Sequence, residues 1–128
     1  MTKEELKART KKFALRIIKL VEHLPNTLAG RTIGNQIIRS GTSVAANYRS
    51  ACRARSNADF ISKITIVEEE SDETLFWLEL ILEANLLEKE KLQDLIKEAD
   101  ELTAIFTASG KTARQNNPKS KIRNPKSK

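Results

Sequence analysis

"QIIRSGTSVAANYRSACRAR", residues 36–55, mixes apolar residues at helical spacing with four arginines and a run of small or hydroxylated residues. Setting successive residues about 100° apart sorts this helix into three arcs. Ile33, Ile37, Val44, Tyr48 and Ala51 share one side, which predicts the core-facing stripe of an amphipathic helix. Nearly opposite fall Arg31, Asn35, Arg39, Thr42, Ala46, Arg49 and Arg53, a row in which four of seven positions are arginine. Between the two, Gln36, Ser40, Ser43 and Asn47 follow one another at i, i+4, i+7 and i+11. The spacing predicts a helix that starts between Asn26 and Gly34 and runs to about Arg55.

Three further segments repeat the pattern. Before it, Thr2 and Glu5 form a capping box. Leu6, Phe13, Ile17, Leu20 and Leu24 then line one face, with Arg9, Lys12, Arg16 and Lys19 on the far side. Pro25 stops this first helix, because a proline disfavours helical geometry at the residue before it. After the opening stretch, Ser56 and Asp59 form a second capping box. Phe60, Ile64, Val67, Ser71, Leu75, Leu78 and Leu82 carry the third helix to about Leu87. A short "LLEKE" connection leads to the fourth, whose apolar face is Leu92, Leu95, Ile96, Ala99, Leu102 and Phe106 and whose stop is Gly110. Four long amphipathic helices with short connections predict an all-α protein, an antiparallel up-down-up-down four-helix bundle over residues 1–110.

Residues 111–128 break the pattern. "NPKSKIRNPKSK", 117–128, is a seven-residue unit followed by its first five residues again, and its single isoleucine cannot repay ordering entropy. Residues 111–128 therefore read as a disordered basic tail, either a tolerated duplication or a cationic arm for phosphate contacts.

Charge is segregated along the chain. Residues 1–55 carry 12 basic and 3 acidic residues, residues 56–109 carry 4 and 14, and residues 110–128 carry seven basic residues and no acid. The formal charge of +6 therefore hides a basic first half set against an acidic second half. Arginine at all four charged sites of that outward row, with scarcely any acid in the helix, favours phosphate or carboxylate recognition over a merely solvated face. Lys12, Arg16, Arg31, Arg39, Arg49, Arg53 and Arg55 are thus candidate contacts to RNA or DNA backbone. One Trp and one Tyr, both on apolar arcs, offer no platform for stacking bases.

The third helix is apolar over more of its circumference than a simple bundle member requires. Ile66, Trp77, Leu80 and Ile81 form a second apolar arc, and Glu68, Asp72, Glu79 and Glu83 an acidic one. Such a helix is covered on more than one side, by its own bundle or by another copy. The candidate oligomer surface is therefore Ile66, Glu68, Asp72 and Trp77 with the polar line Gln36, Ser40, Ser43 and Asn47, although that line better suits a tight seam between helices of one chain. Two functions fit the charges: a nucleic-acid binder, or a protein-assembly or adaptor module whose basic and acidic faces pair between subunits.

Enzymatic readings find little support. His23 is the only histidine, which removes Ser-His and Cys-His catalysis and His-rich metal sites. No Glu-x-x-His pair for a di-iron bundle and no Gly-Lys-Ser/Thr phosphate loop is present. No catalytic residue, metal or cofactor is expected. A lone Cys52, no apolar run near the ~18 residues of a membrane helix and no signal-type leader point to the cytoplasm and away from the membrane.

The stretch from Gln36 to Ile81 resembles the four-helix-bundle family encoded by intervening sequences of bacterial 23S ribosomal RNA genes, the S23-like proteins. Gln36, Arg39-Ser40, Ser43, Ala46-Asn47, Arg55, Asp59-Phe60, Ser71 and Glu73 carry the resemblance, which covers about residues 5–108. Where the family usually has Glu-Gly after the Asn segment, this chain has Ser50-Ala51. The resemblance implies a homo-oligomer, a pentamer in the known members, with no established enzymatic activity. A more distant similarity, to the accessory protein of diversity-generating retroelements, implies RNA and a reverse transcriptase or other protein as partners.

Overall fold

The computed structural model describes residues 1–116; the tail from 117 on, and the expectation of disorder there, lie outside the described residues. Four helices follow one another: α1 (Lys3–Glu22), α2 (Leu28–Ala51), α3 (Asn57–Glu83) and α4 (Lys89–Gln115). Each start except the last is fixed by a hydroxyl. Thr2 accepts from the Glu5 backbone N–H at 3.1 Å while Glu5 accepts in return from the Thr2 N–H at 2.8 Å. Thr27 caps α2 by accepting from Gly30, and Ser56 caps α3 by accepting from Asp59. The Asp59 carboxylate reaches one residue further back than a capping box requires and accepts from the Arg55 N–H at 3.1 Å.

The ends differ from the sequence expectation in three places. α2 stops at Ala51, because Arg53 and Ala54 close tight i→i−3 bonds to Ser50 and Ala51 before Ser56 opens the next helix. α3 stops at Glu83, short of Leu87. Asn85 adopts φ 56°, Leu86 N–H donates to Ile81 and Asn85 N–H to Leu82, which is the Schellman pattern with Asn in the left-handed position. α4 runs through Gly110 to Gln115, so residues 111–115, expected in the disordered tail, are helical. The extra turns are tied to α3: Ala113 is buried, its carbonyl accepts from Asn57 Nδ2 at 3.2 Å, and Arg114 donates to Thr65 at 2.7 Å.

Neighbouring helices run antiparallel. Ile17 of α1 lies against Gly41 of α2, Ser40 of α2 meets Thr74 of α3, and Thr107 of α4 meets Glu68 of α3. A Cβ at Gly41 would stand 3.0 Å from Ile17, so glycine sets how closely α1 and α2 approach. The core is continuous, with Ile17, Ile37, Val44, Ile64, Val67, Leu78, Leu92, Leu102 and Phe106 all at 0 % exposure. Each such side chain contributes about 1.5–3 kcal/mol by leaving water. Tyr48 and Phe106 rings pack at 5.3 Å between centroids. Ile81, expected on the second arc of α3, belongs to this core, whereas Ile66 (39 %) and Phe76 (49 %) stay exposed.

Candidate nucleic-acid interface

The arginine stripe of α2 is divided by what its neighbours offer. Arg39 turns toward α3, donating through Nη1 to Glu70 at 3.1 Å and pairing through Nη2 with Glu73. Glu73 also accepts from Trp77 Nε1 at 2.9 Å. That indole N–H, and after it the guanidinium, hold the Glu73 carboxyl below its ordinary range, while Glu73 and then Glu70 raise Arg39 above its own. Arg39 keeps 47 % of its side chain in solvent. Its charge is nevertheless matched within the chain.

Arg49 and Arg53 turn the other way, toward α1. With Lys7 and Lys11 they line a cleft of about 510 Å³, together with Glu4, Thr42 and three alanines, Ala8, Ala45 and Ala46. Neither arginine has a carboxylate within ion-pair distance among the described residues; Lys7 pairs with Glu4 at 3.0 Å at the mouth. Antiparallel packing creates this arrangement by placing the first turns of α1 beside the last turns of α2.

The remaining expected contacts are dispersed. Arg31 donates to Asn26 Oδ1 at 2.9 Å at the far end of the bundle. Arg16 lines a different cleft, of about 280 Å³, with Lys19, Glu90 and Asp94. Lys12 is exposed on α1, and Arg55 sits exposed in the connection before α3. The sequence reading missed Lys7 and Lys11, whose i, i+4 spacing becomes informative once α1 is paired antiparallel with α2. It also put Arg9 on the solvent side. Arg9 instead joins α1 to α4, with Nε to Glu98 at 2.8 Å and Nη2 to Glu101 at 2.8 Å. Those carboxylates, Glu98 first, raise Arg9 above its usual value.

The expected oligomer surface separates as well. Ser40 is wholly buried within the chain, its hydroxyl 2.9 Å from that of Thr74, so it belongs to the α2–α3 seam and not to a surface for a second copy. Asn47 donates to the Ser43 carbonyl and hydroxyl at 2.9 and 2.7 Å, a bond within one helix, and Gln36 is half-buried. Glu68 accepts from Thr107 of α4 at 3.1 Å. Ile66 and Asp72 are exposed and Trp77 half-buried, stacked edge-on against Phe76 at 5.0 Å. An apolar, acid-flanked strip therefore remains on the outside of α3. Among the described residues no His, Cys, Asp and Glu cluster suits a metal ion, and no helix is long and apolar enough to cross a membrane.

Comparison with known proteins follows the same lines. A family model described as 23S rRNA-intervening sequence protein matches residues 3–108. A crystal structure of a protein of unknown function from the S23 ribosomal protein family of Bacteroides thetaiotaomicron superposes with a TM-score of 0.79 and 34 % identity. It covers 87 % of this chain and 99 % of its own. No curated protein matches this chain.

Proposed function

The chain belongs to the family of 23S rRNA-intervening sequence proteins, and we propose that it is a non-enzymatic, self-associating bundle that binds RNA or DNA backbone through the basic face of α1 and α2. One observation carries this reading: Arg49 and Arg53 stand with Lys7 and Lys11 around one cleft, while the arginines that could have been structural, Arg9 and Arg39, are the ones clasped by carboxylates. Guanidinium groups kept free of acids on a chain with 17 Asp and Glu are available to phosphates. Contacts of this kind position a backbone and carry no sequence information. Cytoplasmic residence fits a partner of that class.

The test is a salt titration of binding to a labelled RNA homopolymer, read by fluorescence anisotropy. Log affinity should fall linearly with log salt, by about 0.7 per neutralised phosphate on a single strand. A slope near zero would sink the reading.

A second reading has its own support. The exposed strip of Ile66 and Phe76, with Asp72, Glu79 and Glu83 around it, has the composition of a surface that meets a basic partner, another copy of this chain included. In that case reversing the α3 acids to lysine lowers the mass measured by light scattering. Loss of RNA binding at unchanged mass favours the first reading.

A further inference from the structure

The outer face of α3 carries one continuous exposed row: Ile66, Glu69, Asp72, Phe76, Glu79 and Glu83, spaced three or four residues apart. The opposite side of the helix, with Ile64, Val67, Ser71 and Leu78, is buried in the bundle. We propose that this row is the docking surface for the chain's own basic end, residues 117–128, contributed by the same copy. The proposal rests on the second reading above, in which the strip meets a basic partner, and names that partner.

The row is unsatisfied in both of its chemistries. Glu69, Asp72, Glu79 and Glu83 have no Lys or Arg within ion-pair distance among the described residues. Other acids of α3 are engaged: Asp59 pairs with Lys63, Glu68 accepts from Thr107, and Glu70 and Glu73 hold Arg39. Phe76 keeps 49 % and Ile66 39 % of its surface in solvent, with half-buried Trp77 and Leu80 beside them. An occupant suited to this row brings several cations, some apolar surface and no acid.

Residues 117–128 have that composition: Lys119, Lys121, Arg123, Lys126 and Lys128, one isoleucine at 122, and no acid. The end of α4 delivers them to the head of the row. The Ala113 carbonyl accepts from Asn57 Nδ2 at 3.2 Å and Arg114 donates to Thr65 at 2.7 Å, so the chain leaves α4 beside the first turns of α3. Arg114 already sets a cation one turn before Glu69. Twelve residues span at most about 40 Å, and Asn57 to Glu79 covers about 33 Å along the helix, so the row lies within reach as far as Glu79.

A second copy is the competing occupant. It offers Leu15 and Ile18 of α1, exposed among Lys11, Lys12 and Lys19. That contact costs the translational and rotational freedom of a whole chain. A tethered segment escapes the cost and acts at an effective concentration on the order of mM. With the tail's cations matched in this way, Arg49 and Arg53 stay the ones turned to phosphate.

Carbodiimide coupling, which joins a lysine amine to a carboxylate beside it, tests the proposal on the full chain. Unlabelled and nitrogen-15-labelled chains are mixed equally, coupled, digested and read by mass spectrometry. The Lys63–Asp59 pair, at 2.8 Å, is the internal control. Expected are links from Lys119, Lys121, Lys126 or Lys128 to Glu69, Asp72 or Glu79, with the same isotope on both sides. Glu69→Lys with Asp72→Lys, at exposed positions, should lower coupling of the unaltered Lys126 and Lys128 to Glu79 about fivefold. Adding Lys119→Glu with Lys121→Glu should restore it, with helicity checked throughout by circular dichroism. Mixed-isotope links to the row overturn the proposal and leave the second reading standing, since another copy is then the partner. No link from residues 119–128 to the row, a reversal without effect, or a swap without rescue also overturns it. If reversing the α3 acids also leaves the light-scattering mass unchanged, the second reading falls with it.

Discussion

Arg39 and Arg49 occupy one stripe of one helix, about three turns apart, yet they end in opposite electrostatic states. Arg39 meets two carboxylates of α3, one of them also held by Trp77. Arg49 lines a cleft with Lys7 and Lys11 of α1 and, among the described residues, has no carboxylate within ion-pair distance. Helical phase gives both the same face; the neighbouring helix decides whether the charge is matched inside the chain or left for a partner. The acids on α3 make the α2–α3 seam self-sufficient. The lysines on α1 make the α1–α2 seam an unsatisfied one.

The largest consequence is for binding. Arg49→Glu combined with Arg53→Glu should lower affinity for an RNA homopolymer by about tenfold per reversed site and flatten the salt slope. Thermal stability should change little, because among the described residues neither side chain has a carboxylate partner to lose. Arg39→Glu should do the reverse. It sets a third acid beside Glu70 and Glu73, weakens the seam and costs less in binding than the cleft pair does. Anisotropy and a thermal melt on the same samples separate the two; equal effects of both variants on affinity would erase the distinction between clasp and cleft.

A smaller effect isolates the clasp. Arg39→Met keeps most of the aliphatic stem and removes the charge. The pair is partly exposed, so its loss should cost about 1 kcal/mol or less, measured by urea denaturation, with RNA affinity nearly unchanged. A binding loss of tenfold would show that Arg39 leaves its carboxylates for the ligand.

The contrast also shows which parts of the molecule the sequence makes readable. Four helices follow from apolar spacing and from Thr2 and Ser56, because these are local signals: Thr2 and Glu5 close the expected box, and Ser56 caps Asp59 while the Asp59 carboxylate turns to Arg55 instead. The fate of each arginine is not local. Arg39 finds partners 31 and 34 residues away and Arg9 finds one 89 residues away, so helix phase alone could not tell a clasped guanidinium from a free one. Gly110 failed as a stop for the same reason: Asn57 and Thr65, on another helix, hold the extra turns in place. Spacing left Ser40 open to a seam within the chain or a surface for another copy, and Thr74, 34 residues away, makes it the seam. Periodicity shows which side a residue faces, and the distant partner determines what that side becomes.

The smallest effect follows from pH. The Trp77 N–H and the Arg39 guanidinium hold the Glu73 carboxyl below its ordinary 4.5. A depressed carboxyl stabilises the fold above its unfolded pKa, and that contribution fades as pH falls through the lower folded value. The difference in stability between the parent chain and Glu73→Gln should therefore be full at pH 7, shrink below about 4.5 and vanish once the carboxyl is protonated in the folded chain. Gln still accepts from Trp77, so the difference reports the charge and not the lost hydrogen bond. Solvent screening keeps it under about 1 kcal/mol. Arg49→Met should show no such pH dependence, since among the described residues no carboxylate pairs with it. Urea denaturation at several pH values supplies both curves. A Glu73→Gln difference that persists unchanged into acid would mean the clasp acts through shape alone.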